Sequence, residues 1–214
     1  MSEAAEPKTA WFRNPWIWAA VIGVIAIPLL RPFCKSRMRR VPKPPAVIAK
    51  LPAFELTNQY GKPYGSKDLR GKVWVANMVF TTCRSICPRL TAQMMKLQKR
   101  YQRKGVDIRL LSISVDPETD TPAKLLAFAQ TAGVDFKRWN WVTGPLAKIR
   151  RLIIGGFKTH MGEKAKDANG LIDIAHTGRF VLVDRQLNIR GFYDSDDKGI
   201  DEVFHRSQHV LNAK

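Results

Sequence analysis

The stretch that most limits what this chain can become is KVWVANMVF, residues 72–80. Its apolar, β-rich residues run on without polar alternation, the pattern of a strand buried on both faces. It leads straight into TTCRSICP (81–88), which sets Cys83 and Cys87 four apart, just ahead of a proline. From Pro88 to Lys104, Leu90, Met94, Leu97 and Tyr101 recur at helical spacing with basic residues on the other face. The two cysteines therefore fall where a buried strand turns into an amphipathic helix.

The same alternation continues along the chain. VDIRLLSISV (106–115) reads as a second strand, Pro122–Thr131 as a second helix, RWNWVTG (138–144) as a third strand and Pro145–Ile154 as a third helix. After a polar loop, GRFVLVD (178–184) and LNIRGFYD (187–194) form a hairpin, and residues 199–212 a closing helix. Gly61, Gly65 and Gly71 mark a small hairpin ahead of the core. A β-α-β-α start with a β-β-α end is the order of an α/β, thioredoxin-like fold. With 214 residues and 45% hydrophobic content the chain can bury a full core without disulfide staples, and three cysteines are too few for a disulfide framework.

Ahead of this domain the composition changes. Pro15 to Leu30, PWIWAAVIGVIAIPLL, holds no charge, and Asn14 followed by Pro15 suits a helix start. At 1.5 Å per residue those residues cover about 24 Å, so Trp11, Phe12, Phe33, Arg13 and Arg31 complete a short span of the roughly 30 Å hydrocarbon layer. The expected organisation is a tail over 1–14, a single transmembrane anchor over 15–33, a basic proline-rich linker over 34–50 and a globular domain over 51–214. Cys34 lies just past the anchor without a lipobox before it and reads as an interfacial thiol. The net charge of +18 is uneven along the chain, and residues 31–50 hold seven Lys and Arg and no acid. That is a juxtamembrane pattern, and no nucleic-acid motif accompanies it.

The cysteine spacing leaves several chemistries open. At a helix start, unpaired N–H groups favour thiolates, and Arg84 and Arg89 push the same way. Cβ atoms on one helical turn are about 5–6 Å apart, wider than the roughly 3.5–4.5 Å of a disulfide, so a bridge needs local rearrangement. A soft metal such as copper(I) or zinc suits two thiolates at that spacing but needs a third ligand. Among the histidines, His160 lies in a polar loop and His205 and His209 share a polar helix, so all three read as surface residues. His176 precedes a strong strand at the end of a loop able to fold back over the cysteine helix.

TTCRSICP, SVDPETDTP (114–122) and HTGRFVLVD (176–184), in this order behind an N-terminal apolar segment, resemble the Sco/SenC family of membrane-tethered copper chaperones. The resemblance covers about residues 50–212. It implies a thioredoxin-like fold, copper as the bound metal, Cys83, Cys87 and His176 as its ligands, and the copper A-bearing subunit of cytochrome c oxidase as partner. It also implies a protein without turnover chemistry of its own and no catalytic residue. A membrane-anchored thiol-disulfide reductase using Cys83 and Cys87 as a redox-active disulfide is the alternative. The family commonly has an acid inside the cysteine turn and an Asp before the histidine, where this chain has Ser85 and Ala175, with Asp173 nearby to compensate. In SVDPETDTP, Asp116–Pro117 turns the chain and Asp120 or Thr121 caps the next helix. The resemblance places the domain outside the bacterial cytoplasm or in the mitochondrial intermembrane space, and Glu3 and Glu6, which do not suit a transit peptide, leave the periplasmic side of a bacterial inner membrane; the positive-inside rule favours the cytosol.

Overall fold

The computed structural model describes residues 14–38, 43–83, 86–166 and 172–213. Outside these lie residues 1–13, with Trp11, Phe12 and Arg13, and also Arg84 and Ser85 of the cysteine turn. The side chains of Cys34 and Asp173 are likewise outside the description. The chain falls into two compact units, Met1–Pro42 and Lys43–Lys214.

In the first unit a helix, α1, spans Pro15–Met38, with the Asn14 side chain accepting a hydrogen bond from the Trp16 N–H. It runs five residues past the expected anchor, into the stretch assigned to the linker. Among the described residues no helix is long and apolar enough to cross a membrane.

The second unit is built on an eight-stranded sheet. Its strands are β1 (Ala49–Lys50), β2 (Glu55–Asn58), β3 (Pro63–Gly65), β4 (Val73–Val79), β5 (Ile108–Ser114), β6 (Trp139–Thr143), β9 (Phe180–Val183) and β10 (Asn188–Tyr193), in the order β1-β10-β9-β4-β5-β6-β2-β3. Strands β4, β5 and β6 are parallel, and β9 joins β4 antiparallel. All seven residues of β4 are buried, as its unbroken apolar run requires. The only polar side chain in that run, Asn77, accepts a hydrogen bond from Ser112 Oγ, which in turn accepts one from Trp139 Nε1. One buried polar chain thus ties the three parallel strands together. The first strand, β1, already belongs to the sheet, so the domain begins ahead of the expected boundary at residue 51.

The helices cover this sheet. A short α2 (Ser66–Leu69) precedes β4; α3 (Cys87–Lys104) and α6 (Asp197–Asn212) pack on one another and on β4, and α4 (Pro122–Thr131) packs on β6. Leu90, Met94, Leu97 and Tyr101 are the buried stripe of α3, and Gly105 at φ 67° ends it in the left-handed conformation that glycine adopts without strain. The third helix, α5 (Leu146–Arg150), widens into a π turn over Arg151–Gly156.

The polar loop expected before Gly178 is an antiparallel pair instead, β7 (Met161–Lys166) with β8 (Ile172–His176). Met161 and Ile174 are buried and anchor it to the core. Charged residues fill half of β7, so neither a hydrophobic run nor alternation announced it.

Candidate functional site

The site lies where the parallel strands end. Past β4 the chain turns at Phe80, whose carbonyl accepts the Cys83 N–H at 3.3 Å. Helix α3 then begins at Cys87 with Pro88 in its first turn, where a missing N–H costs nothing. The Cys87 N–H, one of the donors a helix start leaves unpaired, points to Cys83 Sγ at 3.4 Å. Cys83 is 6% exposed and Cys87 is fully buried, and the two sulfurs are not bridged.

His176, the last residue of β8, brings Nε2 to 3.9 Å from Cys87 Sγ. Its ring meets Phe80 edge-on with centroids 5.7 Å apart. Gly178, two residues on, lets this strand end approach the cysteine turn, because a Cβ there would lie 2.9 Å from Ile86 Cδ1. Cys83 and Cys87 are thus neighbours of His176, which is distant from them in sequence. His160 is exposed and lines, with His176, Lys158, Arg179 and Phe192, an open depression of about 410 Å³. His205 is exposed on α6, whereas His209 is half-buried there rather than a plain surface residue. Among the described residues no group of three or more His, Cys, Asp or Glu side chains is arranged to hold a metal ion.

Burial pushes the Cys87 thiol far up from its ordinary range, with Cys83 and Asp120 adding to it and only a backbone hydrogen bond from Phe80 opposing. The expectation of a thiolate at this helix start therefore fails for Cys87. Arg89 does not reverse it, since its guanidinium is turned toward Ser195 at 3.5 Å.

The SVDPETD segment holds the site's other buried acids. Thr121, not Asp120, caps α4, its side chain accepting the Lys124 N–H. The carboxylate of Asp120 accepts instead from Thr81 N–H, from Thr81 Oγ1 and, at 2.6 Å, from Ser114 Oγ. Burial raises the pKa of Asp120 against these hydrogen bonds. Asp116, 2% exposed, receives Lys164 Nζ of β7 at 2.9 Å. Sequence reasoning missed Asp120, Lys164 and Gly178 in these roles, because each depends on a partner distant in the chain.

A sheet with a thiol pair where its central strand meets a helix, and an imidazole delivered by a separate hairpin, defines a thioredoxin-like domain with a thiol–imidazole site. Known proteins share this arrangement. The chain belongs to the SCO1/SenC family, whose model matches residues 44–212. It is 37% identical over 131 residues to the SCO1 protein homolog of Bacillus subtilis, a match covering 61% of this chain and 66% of that one. The chain thus spans just under two thirds of that relative's length. BsSco, a member of the Sco family of cytochrome c oxidase assembly proteins in which a disulfide switch has been identified, superposes with a TM-score of 0.69 at 29% identity, covering 80% of this chain and 99% of BsSco. ScoI of Bradyrhizobium japonicum, solved with copper bound, shares the fold with a TM-score of 0.64 at 22% identity, covering 76% of this chain and all of ScoI.

Proposed function

We propose that this chain is a copper chaperone that carries copper on Cys83, Cys87 and His176 and passes it to the copper A-bearing subunit of cytochrome c oxidase. The observation that carries this reading is the 3.9 Å approach of His176 Nε2 to Cys87 Sγ, beside Cys83 Sγ on the Cys87 N–H. Two sulfurs and one imidazole are donors of the kind that suits copper, and such a set needs no carboxylate. The copper-bound ScoI and the oxidase-assembly role of BsSco's family support the same reading.

The residues divide the work. Cys83 and Cys87 bind copper as thiolates, so loading releases their protons. Phe80 orients the imidazole edge-on, and burial keeps the unloaded Cys87 protonated, so this sulfur does not stand ready as a nucleophile. Handover is ligand exchange and needs no turnover, so the chain is not an enzyme on this reading. Residues 15–33 serve as a single-span anchor in a bacterial inner membrane, and the basic proline-rich stretch between it and β1 as a spacer holding the domain in the periplasm.

Copper content of the purified chain tests the proposal. About one copper per chain is expected, with severe loss in Cys83→Ser, Cys87→Ser and His176→Ala and none in His205→Ala. Full copper retention in His176→Ala removes the imidazole from the site.

A thiol-disulfide reductase is the second reading, favoured by the contact of Cys83 Sγ with the Cys87 N–H and by the disulfide switch of BsSco. The two part at His176, since exchange depends on thiolate fraction and access at the cysteines. His176→Ala leaves a reductase within a few-fold of wild type and disables a chaperone.

A further inference from the structure

The site is assembled from two arms that the chain joins only through the core. One arm is Phe80–Cys87, with the cysteines; the other is the β7–β8 hairpin, with His176. A single loop, Ser114–Asp120, grips both. Toward the cysteine arm, Asp120 accepts from the Thr81 backbone and hydroxyl, two residues before Cys83, while Ser114 Oγ holds its other oxygen at 2.6 Å. Toward the histidine arm, Asp116 and Thr119 take Lys164 Nζ at 2.9 Å and 3.1 Å, with Glu118 at 3.7 Å. The loop is itself rigid, because the Thr119 and Asp120 N–H groups both donate to the Asp116 carbonyl and the Asp116 N–H donates to Ser114 Oγ.

Lys164 is placed where this grip matters. It stands opposite Ile174, two residues before His176, and the pairing shifts register between Met161 and Lys164. An irregularity of that kind lets a strand bend, and the buried anchors stand on either side of it, Met161 opposite His176 and Ile174 opposite Lys164, so they seat both ends of the hairpin while the bulge leaves the angle between those ends unfixed. The ammonium, by contrast, ends on a carboxylate that is 2% exposed and cannot follow it. A second ion pair, Arg150 to Glu163 at 2.6 Å, involves a Glu163 side chain that is 81% exposed and holds less firmly.

We propose that Lys164 is a positioning residue, and that the Ser114–Asp120 loop, held by Asp116 to Lys164 and by Asp120 to Thr81, sets the distance between His176 and the cysteines. The inference rests on the site proposed above for its consequence in metal binding, but not for the geometry itself. Lys164→Met removes the charge and keeps the length of the stem; Lys164→Arg restores a cation able to reach Asp116.

The test uses the full chain in detergent, reduced and metal-free, with the His176 ring protons followed by NMR. In Lys164→Met the ring-current shift from Phe80 should fall, while Lys164→Arg recovers it and thermal unfolding stays within a few degrees of wild type. A copper arm reads affinity by competition with a chelator: Lys164→Met should weaken binding about tenfold, the scale at which groups behind metal ligands act, and Lys164→Arg should recover most of it. Unchanged His176 shifts in Lys164→Met overturn the proposal, as does a ring shift that Lys164→Arg does not rescue. If wild type binds no copper but the ring shift moves as stated, the positioning role holds and the chaperone reading fails.

Discussion

At the scale of single residues, burial decides the state of Cys87. A buried thiol with a raised pKa keeps its proton where an ordinary cysteine, near about 8.5, has lost it. Alkylation of Cys87 in the reduced, metal-free chain should therefore keep rising with pH beyond about 9, where an exposed thiol has levelled off; peptide-resolved mass spectrometry after timed iodoacetamide pulses measures it. A plateau near that ordinary value would mean that the sulfur is not desolvated in solution. The same shift bears on stability. Above about 8.5 the unfolded chain binds fewer protons than the folded one, so folding should weaken as pH rises through that point. Below it the protonation of Cys87 is the same in both states and its contribution is flat. Chemical denaturation at pH 7 and pH 10 reads the difference, which Cys87→Ala should reduce.

At the scale of elements, the junctions rather than the elements are tight. Helix α6 starts with the Asp196 side chain accepting the Gly199 N–H at 2.7 Å, and a Cβ on Gly199 would lie 2.0 Å from the Asp194 carbonyl oxygen. Gly199→Ala should force the β10–α6 junction apart and cost about 1–3 kcal/mol by overpacking, whereas Asp196→Ala loses only a cap, about 1 kcal/mol. Urea titrations rank the two, and equal losses would mean that the junction relaxes freely. Gly178 differs because its near neighbour, Ile86 Cδ1, is the end of a flexible side chain. Gly178→Ala should therefore leave stability nearly unchanged and lower copper affinity only a few-fold, with titration of both variants as the check.

At the scale of the whole molecule, charge and function disagree about which side of a membrane the domain faces. The basic residues of 31–50 favour the cytosol, and the copper A reading requires the periplasm. Cys83 and Cys87 are buried and slow to react, so the exposed surface lysines, such as Lys99 and Lys104, report the side more directly than the thiols. A membrane-impermeant amine reagent added to intact spheroplasts should label both. Labelling only after lysis would put the domain in the cytosol and end the oxidase-assembly reading.

What the sequence determined by itself is whatever depends on neighbours in the chain. The buried β4, the stripe on α3, the start of α4 at Pro122 and the order of elements follow from local period and turn chemistry, and three short motifs carried the family. Tertiary structure decided the rest. Strands β7 and β8 follow one another, but half the residues of β7 are charged and they neither run apolar nor alternate, so nothing along that stretch announced a hairpin. Thr121 looked no better a cap than Asp120 until the fold put Thr81 and Ser114 around the latter. Cys87 looked activated from its helix start and its arginines, and only packing revealed a desolvated sulfur with Arg89 turned to Ser195. Periodicity records what a residue's own element needs. It holds no record of which distant side chain will remove its water, and in this site desolvation and long-range hydrogen bonds set the chemistry.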